Sequence, residues 1–379
     1  MSLRSIARQL GLSVTTVSRA LGGFPEVAAE TRARVLEEAR RIDYRPNQLA
    51  RRLRHGRSEA VGMVLPADPG QFGDPFFLQL LAAVGPPLHR AGLDLLVMSA
   101  RPGAEEMRAY RHLIEGRRVD GVLLARTRRD DPRIQYLLGL GVPFVAHGRC
   151  DEQRPYAFVD IDGAAACHAA TQRLIGFGHR HIAMINAAPH YTFARYREQG
   201  WRAALADAGQ SPGPMRYAEP SEEAGFTLMR SLLGEQTPPT AVMCATDRLA
   251  IGALHAVSQA GLRAGRDISL IGYDDLPMAS CTDPPLTTIA QPTHRAGPRM
   301  VEMLKALLDG ADPAGLTDIL PARLVPRASD GPASQHTNAD GPPSRDAKAI
   351  RAPRDTREIR KPTGHVHGIS HEIDHHRHS

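Results

Sequence analysis

The sequence predicts an all-α head of three short helices joined to a two-lobed α/β body, with parallel sheets and helices on both faces. Three observations carry this expectation. Residues 2–42 repeat apolar side chains at helical spacing, interrupted by one glycine and punctuated by serines in cap positions. From residue 60 onward, short apolar runs alternate with amphipathic stretches, the mark of strand–helix–strand units. Those runs fall into two successive sets, and two sets imply two lobes.

In the head, Ser2 is the expected N-cap of a helix from Leu3 to Leu10. Gly11 supplies the turn, and Ser13 caps a second helix from Val14 to Leu21. Ile6, Leu10, Val17 and Leu21 share one face and should point inward, while Ala7 is small enough to let the helices cross closely. A third helix, about 30–42, should bury Val35, Leu36, Ala39 and Ile42. Tyr44-Arg45-Pro46 ends it, because proline cannot continue a helix. Asn47 to Arg54 has the makings of one more short helix, and residues 55–58 read as a linker.

The body's first strand set is VGMVL (61–65), LDLLVM (93–98), GVLLA (121–125), PFVAH (143–147) and AFVDI (157–161). The second is HIAMI (181–185), AVMCA (241–245), ISLIG (268–272) and TTIA (287–290). Helical stretches between them include 76–91, 163–176, 197–208, 247–260 and 294–309. In such sheets a ligand binds beyond the carboxyl ends of the strands, which here is the cleft between lobes. Residues 329–379 are rich in Pro, Gly, Arg, Asp and His with almost no apolar period, a composition expected of a disordered tail.

Charge placement narrows the function. The chain has 379 residues and a net charge of +6. Residues 1–60 hold twelve arginines and six acids, so the whole excess sits in the head and the remainder is neutral. A compact basic head on a neutral body is the footprint of a phosphate-backbone binder. The four cysteines (Cys150, Cys167, Cys244, Cys281) include no CxxC pair, which speaks against a disulfide framework or zinc knuckle and fits a reducing cytoplasm. No apolar run nears the roughly 20 residues of a membrane span, and no signal-peptide core opens the chain, so a soluble cytoplasmic protein is expected.

Helix, glycine turn, capped helix and third helix together make a helix-turn-helix pattern, whose second helix enters the major groove of duplex DNA. Ser13 stands at the head of that helix. Val14 and Thr15 are its first residues, with Arg19 one turn later. Arg19 can contact guanine through two bonds, worth roughly 1–3 kcal/mol of discrimination. Val14 offers apolar contact, and Thr16 and Ser18 suit phosphate oxygens, which set register. The competing reading at this level is an ordinary helical hairpin with a wet polar face.

ARQLGLSVTTVSRAL, PEVAAETRARVLEEA and YRPNQLARRL are followed in order by DPFF (74–77), RVDGVLL (118–124), GHRHIAMI (178–185), RYREQGW (195–201), ATDRLAIG (245–252), ISLIGYDD (268–275) and PPLTTIAQP (284–292). These motifs resemble the lactose/galactose repressor family over about residues 2–327. The resemblance implies a periplasmic-binding-protein-like body behind the head. It also implies a homodimer or tetramer, a palindromic double-stranded DNA operator, and a small-molecule effector; the residues themselves lead to no expected cofactor or metal. The implied divisions are a DNA-binding head at 1–45, a hinge helix and linker at 46–59, an effector-binding and dimerisation body at 60–328, and a tail. By the same resemblance Leu53 is an apolar wedge in the minor groove, Ala50 lets the paired hinge helices approach, and Asn47 and Tyr44 contact the DNA backbone. The alternative for Leu53 is packing under the body. Two departures stand out: Ala28 replaces the usual cap before the third helix, and Ser5 replaces an early acidic residue.

No GxGxxG follows a strand, and GxxxxGK[ST], GxSxG and HExxH are absent, so the body reads as a receptor and not an enzyme. Sugar hydroxyls both donate and accept hydrogen bonds, so arginine forks and carboxylates are the groups to seek. The resemblance implies Arg197 and Asp274 first, then Asp247, Asp162, Phe77 and Gln291. The structural alternatives are a helix cap for Asp247, core packing for Phe77 and a turn for Asp274; Trp201 either lines the cleft or packs. The head segment with YRPN, together with DPFF, is similar to members that govern α-glucoside uptake, which implies an α-glucoside effector; a purine stays open. The rival classes are a two-lobed sugar-binding protein and a sugar-acting enzyme with a fused DNA-binding module. The tail histidines (365, 367, 371, 375, 376 and 378) are expected to hold no metal.

Overall fold

The computed structural model describes residues 2–22, 24–44, 57–67 and 74–333. The expected hinge residues Asn47, Ala50 and Leu53 and the histidine tract lie outside the described residues.

The head is α1 (Leu3–Leu10), α2 (Val14–Leu21) and α3 (Ala29–Arg41). Ile6, Ala7, Val17, Ala20, Val27, Val35 and Ala39 form its core, with Leu10, Leu21, Ile42 and Tyr44 half-buried against it. Gly11 closes α1 at φ 67°, a left-handed conformation that costs glycine nothing. The Ser13 hydroxyl accepts from the Thr16 amide at 3.0 Å and so caps α2.

Two expectations need correction here. Ser2 makes no cap bond; its hydroxyl pairs instead with that of Ser5 at 3.3 Å. Leu36 is exposed, because Val35 and Ala39 already define the buried stripe and the next position lies about 100° away. Ala28 gives α3 no side-chain cap, as expected, but Arg32 reaches back to the Phe24 carbonyl at 2.6 Å and ties down the preceding loop.

Lobe 1 holds β1 (Ala60–Pro66), α4 (Pro75–Arg90), β2 (Asp94–Ala100), α5 (Ala104–Glu115), β3 (Gly121–Ala125), α6 (Pro132–Leu140), β4 (Phe144–His147) and β5 (Ala157–Ile161). Lobe 2 holds α7 (Gly163–Gly176), β6 (Ile182–Ala187), α8 (Thr192–Asp207), β7 (Met215–Ala218), α9 (Glu222–Leu233), β8 (Ala241–Cys244), α10 (Asp247–Gln259) and β9 (Ser269–Ile271). The chain then runs through β10 (Thr288–Ala290), α11 (Thr293–Leu308), β11 (Thr317–Leu320) and β12 (Arg323–Val325). Strand order is β11-β5-β4-β3-β1-β2 in lobe 1 and β7-β6-β8-β9 in lobe 2, and both sheets are parallel.

Beyond the second set of runs the chain returns to lobe 1. α11 packs through Met300, Val301, Met303 and Leu304 on the lobe-1 core, and β11 extends the lobe-1 sheet beside β5. TTIA becomes β10, paired antiparallel with β12. The chain passes between lobes near residues 162, 291 and 321. Order also continues past Ala328. Ser329 and Asp330 are buried, Asp330 accepts from Arg173 at 2.6 Å and Thr287 at 2.5 Å, and the Ala333 amide donates to Phe177 at 2.8 Å. Among the described residues no helix is long and apolar enough to cross a membrane.

Candidate functional site

Two surfaces collect the residues singled out by sequence. The first is the outer face of α2. Ser13, Val14, Thr15 and Arg19 are exposed there, Val14 at 43%, and Thr16 and Ser18 are half-buried at its flank. Arg19 makes no ion pair among the described residues, so its guanidinium is available to a partner. Tyr44 sits differently: its ring leans on the head core and its amide donates to Ala39 at 2.8 Å.

The second surface is the cleft between lobes, whose empty space, mouth included, is about 640 Å³. Its walls begin where strands end. β3 runs into Arg126, β4 ends in His147 and leads to Arg149, β5 carries Asp160, and β9 leads to Tyr273 and Asp274. This is the geometry parallel sheets provide for ligands.

On lobe 2, Arg197 rises from α8 on the face shared with Ala194, Gly200 and Trp201. Its Nη1 donates to the Ala245 carbonyl, and its guanidinium lies 3.5 Å from the Tyr273 ring centre and 4.5 Å from that of Phe193. Its Nη2 stands 3.8 Å from an Asp274 carboxylate oxygen, to which Gln291 donates at 2.6 Å. Asp274 has φ 123°, held by its amide bond to Ile289 at 2.8 Å. Such backbone strain, of order 1–3 kcal/mol, persists where surroundings over-determine it, often at functional sites. Burial pushes the Asp274 carboxyl up to about 8 against the pull of Arg197.

Lobe 1 answers with two more acid–base pairs. Arg126 pairs with Asp74, and Arg149 donates to Asp160 at 2.6 Å while its guanidinium lies 4.2 Å from the Tyr196 ring centre across the cleft. His147 is buried against Phe76, edge to face at 5.4 Å, and burial pushes its pKa down, so the ring is neutral. Among the described residues nine buried side-chain polar atoms find no partner within the protein. Four of them belong to cleft residues: His147 Nε2, Thr192 Oγ1, Arg197 Nε and Tyr273 OH. An unpaired buried polar atom costs about 1–3 kcal/mol, so their concentration here points to a polar ligand.

Of the six residues expected in the cleft, Arg197, Asp274 and Gln291 line it. The other three do not. Phe77 belongs to the lobe-1 core, edge to face with Phe76, which is the one of this pair that reaches the cleft. Asp162 caps α7, accepting from Ala165 at 2.9 Å. Asp247 is fully buried, accepting from Leu276 at 2.7 Å and from Thr288; burial pushes it up to about 6, and Thr246 is the actual cap of α10. Trp201 is fully buried in the lobe-2 core. Sequence reasoning missed Arg126, His147, Arg149 and Asp160, although each sits at or just past the end of an apolar run.

Comparison with known proteins covers both the head and the body. Residues 2–47 match bacterial regulatory proteins of the lacI family, and residues 171–329 match a periplasmic binding protein-like domain. The HTH-type transcriptional regulator AglR of Rhizobium meliloti (strain 1021) is 39% identical over 348 residues, covering 90% of this chain and 98% of that protein. The transcriptional regulator CelR–cellobiose complex superposes with a TM-score of 0.68 at 31% identity, over 87% of this chain and 99% of CelR. The lac repressor dimer bound to operator and the anti-inducer ONPF gives a TM-score of 0.76 at 28% identity, over 87% and 99%. With a basic helix-turn-helix at one end and a polar inter-lobe cleft behind it, the chain belongs to the lacI family of bacterial regulatory proteins and is a DNA-binding transcriptional regulator, not an enzyme.

Proposed function

We propose that this protein is a cytoplasmic repressor that binds a palindromic operator as a dimer and that a sugar in the inter-lobe cleft sets its grip. The observation that carries the reading is the cluster of unpartnered polar atoms between the lobes, on walls of paired arginines and aspartates. Arg197, Asp274 and Gln291 are the primary effector contacts. In the head, Val14, Thr15 and Arg19 read bases, while Ser13, Thr16 and Ser18 meet phosphates, with Tyr44 at the backbone. By the family resemblance, Leu53 is the minor-groove wedge, Ala50 lets the two hinge segments approach, and Asn47 joins Tyr44 at the DNA backbone.

Support for the sugar comes from relatives: CelR carries cellobiose, and the lac repressor dimer carries ONPF together with its operator. An α-glucoside is the first candidate, in keeping with the resemblance of the head and the DPFF segment. Ligand between the lobes shifts their relative position, and that shift reaches the operator through the hinge. Coupling of this kind is typically about 1–3 kcal/mol. Selection of bound duplexes from a random pool should return a two-fold symmetric sequence, and retention of that sequence should change with one sugar of a panel. Return of no common sequence would refute the operator reading.

A further inference from the structure

We propose that the effector is an uncharged carbohydrate and that His147, on the lobe-1 wall, is a selectivity-determining contact for it. This rests on the sugar-sensing reading above and deepens it. The first ground is charge. Every charged side chain lining the cleft belongs to one of three pairs: Arg126 with Asp74, Arg149 with Asp160, and Arg197 with Asp274. When all are ionised, the walls sum to zero. When burial keeps Asp274 protonated, one positive charge remains, on a guanidinium already bonded to Ala245 and stacked on Tyr273. A phosphorylated sugar carries about 1.5 to 2 negative charges. It would meet the carboxylates of Asp74 and Asp160 with at most the single positive charge of Arg197 to offset its own, the other two guanidiniums being paired. A hydroxyl suits the same walls, because it can donate to a carboxylate and accept from a guanidinium at once.

The second ground is His147 itself. It is 7% exposed and its Nε2 has no partner in the protein. As a neutral imidazole it offers a ring nitrogen that donates in one tautomer and accepts in the other, and a hydroxyl can answer either. The unpartnered atoms of Thr192, Arg197 and Tyr273 lie on the other lobe. A ligand bearing several hydroxyls can satisfy His147 from one side and these three from the other, so binding and lobe closure are met by the same contacts. Phe76, Phe193, Tyr196 and Tyr273 supply apolar faces for ring C–H groups.

The test is thermal shift and titration calorimetry on the full chain with cellobiose, maltose, sucrose and melibiose, against glucose 6-phosphate, glucuronate and guanine. His147→Phe keeps the aromatic contact with Phe76 but removes the nitrogen; His147→Gln restores a polar tip. The expected result is that at least one neutral disaccharide raises the parent's Tm and the two anions do not. His147→Phe then loses at least tenfold in affinity while melting at or above the parent's Tm, and His147→Gln recovers part of the loss. If His147→Phe does not fold, His147→Leu, which likewise lacks the ring nitrogen, decides the role: parental affinity overturns it, and a several-fold loss supports it. Tighter binding of an anion overturns the inference and leaves sugar sensing intact. Equal affinity in parent and His147→Phe overturns the role of His147. Response to guanine alone, or to nothing in the panel, overturns both the inference and the sugar reading.

Discussion

Arg197 and Asp274 stand 3.8 Å apart on the lobe-2 wall, and Gln291 donates to the same carboxylate at 2.6 Å. The arrangement holds an acceptor and a donor at one spot, yet burial dominates the carboxyl and raises it from 3.8 to about 8. A raised folded value means the native state binds the proton more tightly than the unfolded chain. The associated stability is fully present below pH about 3.8 and is lost as pH rises through about 8. Asparagine does not titrate, so Asp274→Asn should gain Tm on the parent steadily from pH 4 to pH 8. Melting both proteins at several pH values checks this. A difference in Tm that stays constant over that range would contradict the buried carboxyl.

Ala28 and Ser13 form a natural comparison of helix caps. Ser13 accepts from the Thr16 amide, whereas Ala28 offers α3 nothing. Ala28→Ser should therefore stabilise the head by about 0.5–1 kcal/mol, and Ser13→Ala should cost a similar amount. Amide exchange in the first turn of α3 should slow in the first variant. Unchanged exchange there would mean that Arg32, bonded to the Phe24 carbonyl, already fixes that end.

The head's helices were legible because their spacing and punctuation are local: Ile6 and Leu10, Val17 and Leu21, and Val35 and Ala39 each lie one turn apart, and Gly11 and Ser13 mark the turn. The strands of both sheets were legible wherever a run was apolar throughout, as in GVLLA, which is buried at every residue. The edges were not. MRYA and TDIL expose alternate or partial faces and look like loop in sequence. Nor can periodicity assign α11 to a lobe, since crossing between lobes is a property of the whole chain. In the cleft, Arg197 and Asp274 were found through motifs, but Arg149 and Asp160 gain their role only from lying at neighbouring strand ends. Asp162 and Asp247 look the same in sequence as Asp160 and Asp274, and only their bonds separate a cap or a buried brace from a cleft wall.

The buried end of the body gives a truncation test. Asp330 is bonded to Arg173 and Thr287, Ser329 to Leu270 and Thr287, and the Gly331 carbonyl to His179 and Ser269. A chain ending at Ala333 keeps all of these bonds. A chain ending at Ala328 leaves those groups without partners and should lose roughly 2–4 kcal/mol, read by urea unfolding. Equal midpoints for the two would show that Ser329 to Ala333 brace nothing.

Two glycines should respond to alanine with opposite sign. A Cβ at Gly200 would run into the Ala164 carbonyl where α8 crosses α7, and no flexible side chain is there to yield. Gly200→Ala should cost about 1–3 kcal/mol and disturb Arg197, one turn earlier on the same face. Gly176, at the end of α7, has nothing within 4 Å of its missing Cβ. Gly176→Ala should add about 0.5–1 kcal/mol by helix propensity. A stabilising Gly200→Ala would refute the close crossing that positions the cleft arginine.

Arg19 gives the sharpest test of the head, because it is exposed beside Val14 and Thr15 on α2 and has no ion pair among the described residues. A guanidinium that reads guanine contributes preference at one position, whereas a phosphate contact contributes affinity everywhere. Arg19→Ala should relax the preference at one base pair in each half-site by roughly 1–3 kcal/mol and leave the other positions as they were. Binding to all single-base variants of the selected duplex, at fixed salt, measures this directly. If affinity instead drops uniformly across the variants and the salt dependence falls by about one ion, Arg19 holds the backbone and base reading passes to Val14 and Thr15.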